Sequence, residues 1–249
     1  MTAESTTPGD RAPSRDGLNV AVVHEQLRQA ILRGDVPPGP ATSQLVLARE
    51  LGVGRTPLRE ALRMLQSEGL VISEPNRRVR IAELSVVDAE ELYVMRILLE
   101  AAAARMTVPT LTDNDIAELE GLMAQMDHLT RTNSPIRDTH HQFHARLVKA
   151  AGPRVVSQIT QLFDHAERYR AFASRTGTGE PDHHQLRRAE HRQILDAAAA
   201  GDAPATAQAL AAHYLMTAKL VAGVLDPDYD LARLRVAIAL AAPGIAADV

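Results

Sequence analysis

The stretch that decides the fold is SQLVLARELGVGRTPLREALRMLQSEGL, residues 43–70. Its first part carries Leu47 and Leu51 one helical turn apart, behind Thr42 or Ser43 as an N-cap. Gly52-Val53-Gly54 then breaks the pattern. The second part opens with Thr56 as an expected N-cap and Pro57 at the first helical position, where a missing N–H costs nothing. Leu58, Leu62 and Leu65 form its apolar face, and Gly69 marks its end. Two short helices about a tight turn, the second led by Arg55 and Arg59, outline a helix-turn-helix whose second helix enters the major groove.

Working outward, residues 20–33 form a helix capped by Asn19, with Val23, Leu27, Ala30 and Ile31 on one face. The run VPPGP, residues 36–40, has no helix-forming capacity. After the helix-turn-helix, residues 71–73 and 79–81 are β-prone and read as a two-stranded wing, with Asn76 suited to a left-handed turn. Residues 18–82 are therefore expected to be a winged helix-turn-helix domain. Residues 1–17, rich in Thr, Ser, Pro and charge, are expected to be a disordered tail.

Beyond Ser85 the chain reads as helix after helix. The first, residues 88–106, places Leu92, Met95, Leu99 and Ala103 on one face; Thr112-Asp113-Asn114-Asp115 supplies strong capping chemistry for the second. Short breaks at Gly152-Pro153, residues 176–180 and Gly201-Asp202 punctuate the rest. The expected fold is mainly α: an N-terminal winged helix-turn-helix and, over residues 84–242, an antiparallel bundle of six or seven helices. Aromatics make up only 3% of the 249 residues, in keeping with helices over sheets. The chain has no cysteine, which excludes disulfides, thiolate metal sites and cysteine nucleophiles. No apolar run approaches the roughly 18 residues of a membrane span, and the N-terminus lacks a signal pattern, so a cytoplasmic protein is expected. Residues 18–80 carry nine Arg against six acidic residues, while the part beyond is acidic. A basic front and acidic rear suit a nucleic-acid reader joined to a module that avoids DNA.

Ten histidines occur, eight of them after residue 130. His140 and His144 stand four apart on a helix face shared with Phe143 and Leu147, a spacing that lets two imidazoles meet one metal. His191 aligns with Ile194, Leu195 and Ala198, and His213 with Leu210, Thr217 and Leu220. Four inward-facing histidines on three helices make a candidate metal set; hydrogen-bonded core histidines are the competing reading. His183 and His184 read as loop residues.

The motifs LRxAILxGxxxPG (27–39), LAxxLGVxRTPLREAL (47–62) and LxxEGL (65–70) resemble the DNA-binding domain of the GntR family of bacterial transcription regulators. That resemblance implies base and phosphate contacts from Arg55, Thr56 and Arg59. Arginines at a helix start reach guanine edges with a bidentate fork, and a threonine hydroxyl reaches phosphate. Arg49 is a further candidate, and Arg77 and Arg78 at the wing tip either enter the minor groove or sit on the backbone. The family's usual wing-tip glycine is Asn76 here, and Gln44 and Leu45 replace charged residues common at the second helix. The pieces RxxLE (96–100), FHxxL (143–147), EHxxILxA (190–197) and His213 resemble the FCD effector-binding domain of the FadR-type subfamily. Many such domains bind a divalent metal through one Asp and three His. By resemblance the three are His144, His191 and His213, and His140 stands at the Asp position, with His141 or Asp138 as alternatives.

An all-imidazole set suits zinc first, then nickel or cobalt. The resemblance further implies a small carboxylate effector held beside the metal by Arg96, with Arg146 a second candidate; an ion pair of Arg96 with Glu100 is the alternative use. The leading expectation is a ligand-responsive regulator, a repressor acting as a homodimer on a palindromic operator. Two others compete: a metal-dependent hydrolase with an accessory nucleic-acid module, whose base would be Glu190, and an effector-blind regulator with core histidines.

Overall fold

The computed structural model describes residues 19–132, 134–176 and 182–243, together with the backbone but not the side chains of a few further positions within them. The expected tail, residues 1–17, lies outside them. The chain divides into two compact units between Glu83 and Leu84.

In the first unit, α1 (Val20–Arg33), α2 (Gln44–Glu50) and α3 (Arg55–Ser67) precede the wing. Asn19 caps α1 and Ser43 caps α2, its hydroxyl accepting from the Val46 N–H at 3.2 Å. α3 begins two residues earlier than the sequence suggests. Gly54 is its N-cap, and its carbonyl already accepts from the Leu58 N–H, so Thr56 and Pro57 both lie inside the first turn. Proline fits there because first-turn N–H groups have no intrahelical partner. Leu58, Ala61, Leu62 and Leu65 of α3 pack on Val23, Leu27, Ile31 and Leu32 of α1. Leu51 is largely exposed, and Ala48 is the buried residue of α2. Glu68, just past α3, accepts from Arg28 Nε at 3.0 Å and meets His24 Nε2 at 2.5 Å, both on α1.

The wing has three strands, not two: β1 (Thr42–Ser43), β2 (Val71–Glu74) and β3 (Arg78–Ile81), in the order β1-β3-β2, all antiparallel. A two-residue strand leaves no periodic signal, so β1 is visible only through its pairing. Asn76 turns the tip at φ 61, a conformation Asn tolerates better than most residues.

In the second unit, seven α-helices occur among the described residues: α4 (Val86–Thr107), α5 (Asp113–Arg131), α6 (Arg137–Val148), α7 (Pro153–Thr176), α8 (Asp182–Ala199), α9 (Ala203–Leu225) and α10 (Ala232–Ala241). His183 and His184, expected in a loop, fall in the first turn of α8. α4 is the central element and packs against α6, α7, α9 and α10. Tyr93, Ile97, Ala101 and Ala104 are buried on it, with Leu92, whereas Met95, expected on the apolar face, is exposed. Glu90, also buried, accepts from the backbone N–H groups of Arg233 (2.8 Å) and Leu234 (3.2 Å) and from the Tyr229 hydroxyl (2.8 Å). It thereby satisfies donors that the N-terminus of α10 would otherwise bury unpaired.

Thr112 and Asp115 form a reciprocal capping box at the start of α5. The Lys149 ammonium and the Thr112 donors hold the Asp115 carboxyl well below the usual range. A carboxylate held low adds stability above its unfolded pKa, and that stability is lost as pH falls through the folded value. Asp115→Asn is therefore expected to lower the melting temperature at pH 7. The gap to wild type should narrow below about pH 4, where the unfolded carboxyl protonates; circular-dichroism melts across pH check this.

Candidate functional site

On α3, Arg55, Thr56 and Arg59 are exposed on the side away from the buried leucines. Arg59 Nε lies 3.2 Å from Glu60 and Arg63 Nη1 3.3 Å from the same carboxylate, surface bridges that DNA phosphates can displace. Arg49 is exposed in the last turn of α2. At the wing, Arg78 donates to the carbonyl of Ala41, beside the strand pairing, and the side chain of Arg77 lies outside the described residues.

In the second unit, His140 and His144 of α6, His191 of α8 and His213 of α9 converge. One ring nitrogen from each lies within 4.8 Å of every other, and all four residues are buried. Asp138 points away with its side chain 91% exposed, and His141 packs on Phe163, so neither alternative ligand joins the group.

The outward nitrogens decide what the inward ones can do. Burial, then Glu100 beside it, holds the Tyr214 hydroxyl pKa well above the usual value, so the phenol keeps its proton and donates it to Glu100 Oε2. His144 Nδ1 lies 2.9 Å from that phenol oxygen and must supply the proton of this second bond, which leaves a lone pair on Nε2. His191 Nδ1 donates to the Arg187 carbonyl at 2.8 Å, which fixes the same tautomer. His213 Nδ1 donates to Glu190 Oε2 at 2.7 Å. His140 Nδ1 faces Glu167 Oε2 at 3.8 Å, too far for a hydrogen bond. His144, His191 and His213 are thus held with a lone pair on Nε2, in the pattern by which second-shell acceptors orient metal-binding imidazoles, while His140 also turns Nε2 toward His144 but has no acceptor that fixes its proton.

Burial, above all, lowers all four histidine pKa values, those of His191 and His213 to about 3, so the rings are neutral at neutral pH. His191 Nε2 is buried with no hydrogen-bond partner, an omission that costs about 1–3 kcal/mol unless something meets it. Nitrogens bound tetrahedrally to zinc stand about 3.3 Å apart. The His140 and His144 Nε2 atoms are already 3.1 Å apart. The donor set fits a borderline-soft divalent ion.

Arg96 lies beside this cluster. Its guanidinium centre sits 4.1 Å from the centroid of the Tyr214 ring and its Nε donates to Glu100 at 2.7 Å, so the expected ion pair is present. Arg96 Nη2 is nevertheless buried without a partner. Arg146 is not brought to the cluster: it is half-exposed and bridges Glu118 of α5 at 2.6 Å. Sequence reasoning missed Tyr214, Glu167 and Arg170, the last of which donates from Nε to Glu167 at 2.7 Å. Phe163, Glu167 and Arg170 share one face of α7, a signal that helical spacing carries but that the histidines overshadow.

Residues 19–81 match the family described as bacterial regulatory proteins, gntR family, and residues 91–215 match the FCD domain. The chain is 26% identical over 197 residues to the HTH-type transcriptional regulator YdhC of Bacillus subtilis, spanning 77% of this chain and 85% of YdhC. It is 24% identical over 196 residues to the HTH-type transcriptional repressor GlaR of Escherichia coli, spanning 76% and 89%. Among solved structures, a GntR transcriptional regulator from Rhodococcus sp. RHA1 superposes with a TM-score of 0.68 at 23% identity, covering 85% of this chain and 99% of that one. The chain belongs to the GntR family of bacterial transcription regulators, with an FCD domain behind its winged helix-turn-helix.

Proposed function

We propose that this regulator is a cytoplasmic repressor that binds a palindromic operator as a homodimer and responds to a small carboxylate through a metal centre in its helical unit. The observation that carries the reading is the joint presence of four neutral, inward-turned Nε2 groups and the unpartnered Nη2 of Arg96. His140, His144, His191 and His213 would hold the ion, zinc by preference and nickel or cobalt next. A bound ion supplies positive charge and a Lewis-acidic contact for a carboxylate. Arg96 donates to the same anion from its free Nη2, while Glu100 and the Tyr214 ring hold the guanidinium in place. In the reader unit, Arg55 and Arg59 read base edges, Thr56 holds phosphate, and Arg49, Arg77 and Arg78 add backbone or minor-groove contacts.

The hydrolase reading loses its base. Glu190, the carboxylate it needs, is engaged in orienting His213. The family match gives that reading no support.

Two measurements test the proposal. Metal analysis of protein purified without chelator is expected to find about one divalent ion per chain. Stripping the ion should lower the melting temperature, and returning zinc at about 100 times its dissociation constant should raise it by about 5–10 °C. His191→Ala should abolish that rise; a chelator-indifferent melt would instead favour the effector-blind reading. In operator titrations at fixed salt, Arg59→Ala is expected to weaken binding by about 1–3 kcal/mol and to relax specificity at one base pair. Arg96→Ala should leave operator affinity intact and remove its response to carboxylates.

A further inference from the structure

One helical turn from the level of the four histidines, three helices bring a second set of polar side chains together. Tyr93 precedes Arg96 on α4 by three residues, Arg170 follows Glu167 on α7 by three, and Arg187 precedes His191 on α8 by four. Each step is about 5 Å along a helix axis. The steps lead to one place, because Tyr93 lies in the field of both Arg170 and Arg187, and Arg187 in that of Arg170.

This second level offers donors that the protein itself does not use. Tyr93 is 1% exposed, yet its hydroxyl makes no hydrogen bond among the described residues, where a buried phenol ordinarily finds a partner. Burial above all pushes its pKa up to about 12, so it keeps its proton and has it to donate. Arg170 gives Nε and Nη2 to Glu167, and its Nη1 meets no acceptor among the described residues. Arg96 stands between the two levels, its guanidinium centre 5.9 Å from the centroid of the Tyr93 ring and its Nη2 unpartnered.

The balance of charge says how many anionic groups belong here. Arg96, Arg170 and Arg187 are set against Glu100, Glu167 and Glu190, three charges of each sign, and the four imidazoles are neutral. A divalent ion would add two positive charges that none of these groups cancels, and a buried charge without a counter-charge is costly. A monocarboxylate cancels one of the two and a dicarboxylate cancels both. A phosphorylated acid, with roughly three negative charges, overshoots.

We infer that the effector is a dicarboxylate: one carboxylate is held at the ion and Arg96, the other, a helical turn away, by the Tyr93 hydroxyl, Arg170 and Arg187. This rests on the metal-assisted carboxylate reading above and adds a second anchor to it.

Titration calorimetry of the zinc-loaded full chain tests it with length-matched pairs, succinate against butyrate and glutarate against pentanoate. In at least one pair the diacid is expected to bind at least about 30-fold more tightly than the monoacid. Tyr93→Phe, which removes one unpaired hydroxyl and little else, should cut that ratio about tenfold, the worth of one hydrogen bond to a charged group. Arg187→Gln should cut it by at least as much. A monoacid that binds as tightly as its diacid in both pairs overturns the second anchor and leaves the metal-assisted carboxylate reading standing. A diacid preference that both variants retain overturns the assignment to Tyr93 and Arg187. Zinc-loaded protein that binds none of the four acids overturns the carboxylate reading and the second anchor together.

Discussion

Tyr214 has one hydroxyl proton, and it goes to Glu100. From that single commitment the rest of the helical unit takes its chemistry. Glu100 also receives Arg96, and the phenol oxygen accepts from His144, so α4, α6 and α9 are tied through three polar side chains with almost no solvent among them. In so dry a setting a misplaced proton leaves a donor or acceptor unpaired, and each such fault is expensive. The network therefore tolerates essentially one arrangement. In that arrangement Nε2 of His144 carries a lone pair and points at the other three rings.

His140 is the member without a fixed tautomer. Its Nδ1 faces Glu167 at 3.8 Å, and its Nε2 faces His144 at 3.1 Å. Two lone pairs cannot sit that close, so in the metal-free protein the proton belongs on Nε2 of His140 and is shared with His144. Were a cation to take the inward positions, the proton of His140 would belong on Nδ1, on the side that faces Glu167. Glu167 is held for this by Arg170. A fourth histidine in place of an acid leaves this cluster without a carboxylate of its own, while Glu167 places one just outside it.

Much of this was legible in residues, and what was not has definite causes. The helix-turn-helix and the helical bundle follow from periodicity and from glycines at the breaks, and the four histidines follow from their alignment with apolar neighbours. The start of α3 was misplaced at Thr56 because a glycine can cap as well as a threonine and leaves no side-chain signature. β1 was invisible because a strand of two residues is made by its partner. Met95 reads as core in any hydrophobic pattern, and only the packing of α4 shows that it faces out. Arg146 looked close to the cluster because it follows His144 by two residues, but two residues along a helix turn the side chain to another face, where Glu118 holds it. The second shell was the least legible part, since Glu167, Glu190 and Tyr214 acquire their roles only when three helices meet.

Glu68 shows how the reader is held together. It stands just beyond the last residue of α3 and grips two side chains of α1, one through Arg28 and one through His24, while leucines of the two helices interlock alongside. A helix pinned along its flank and again at its far end has no free hinge. α1 and α3 are therefore bound as one block within this unit, so the direction in which α3 presents Arg55 and Arg59 is tied to the direction of α1.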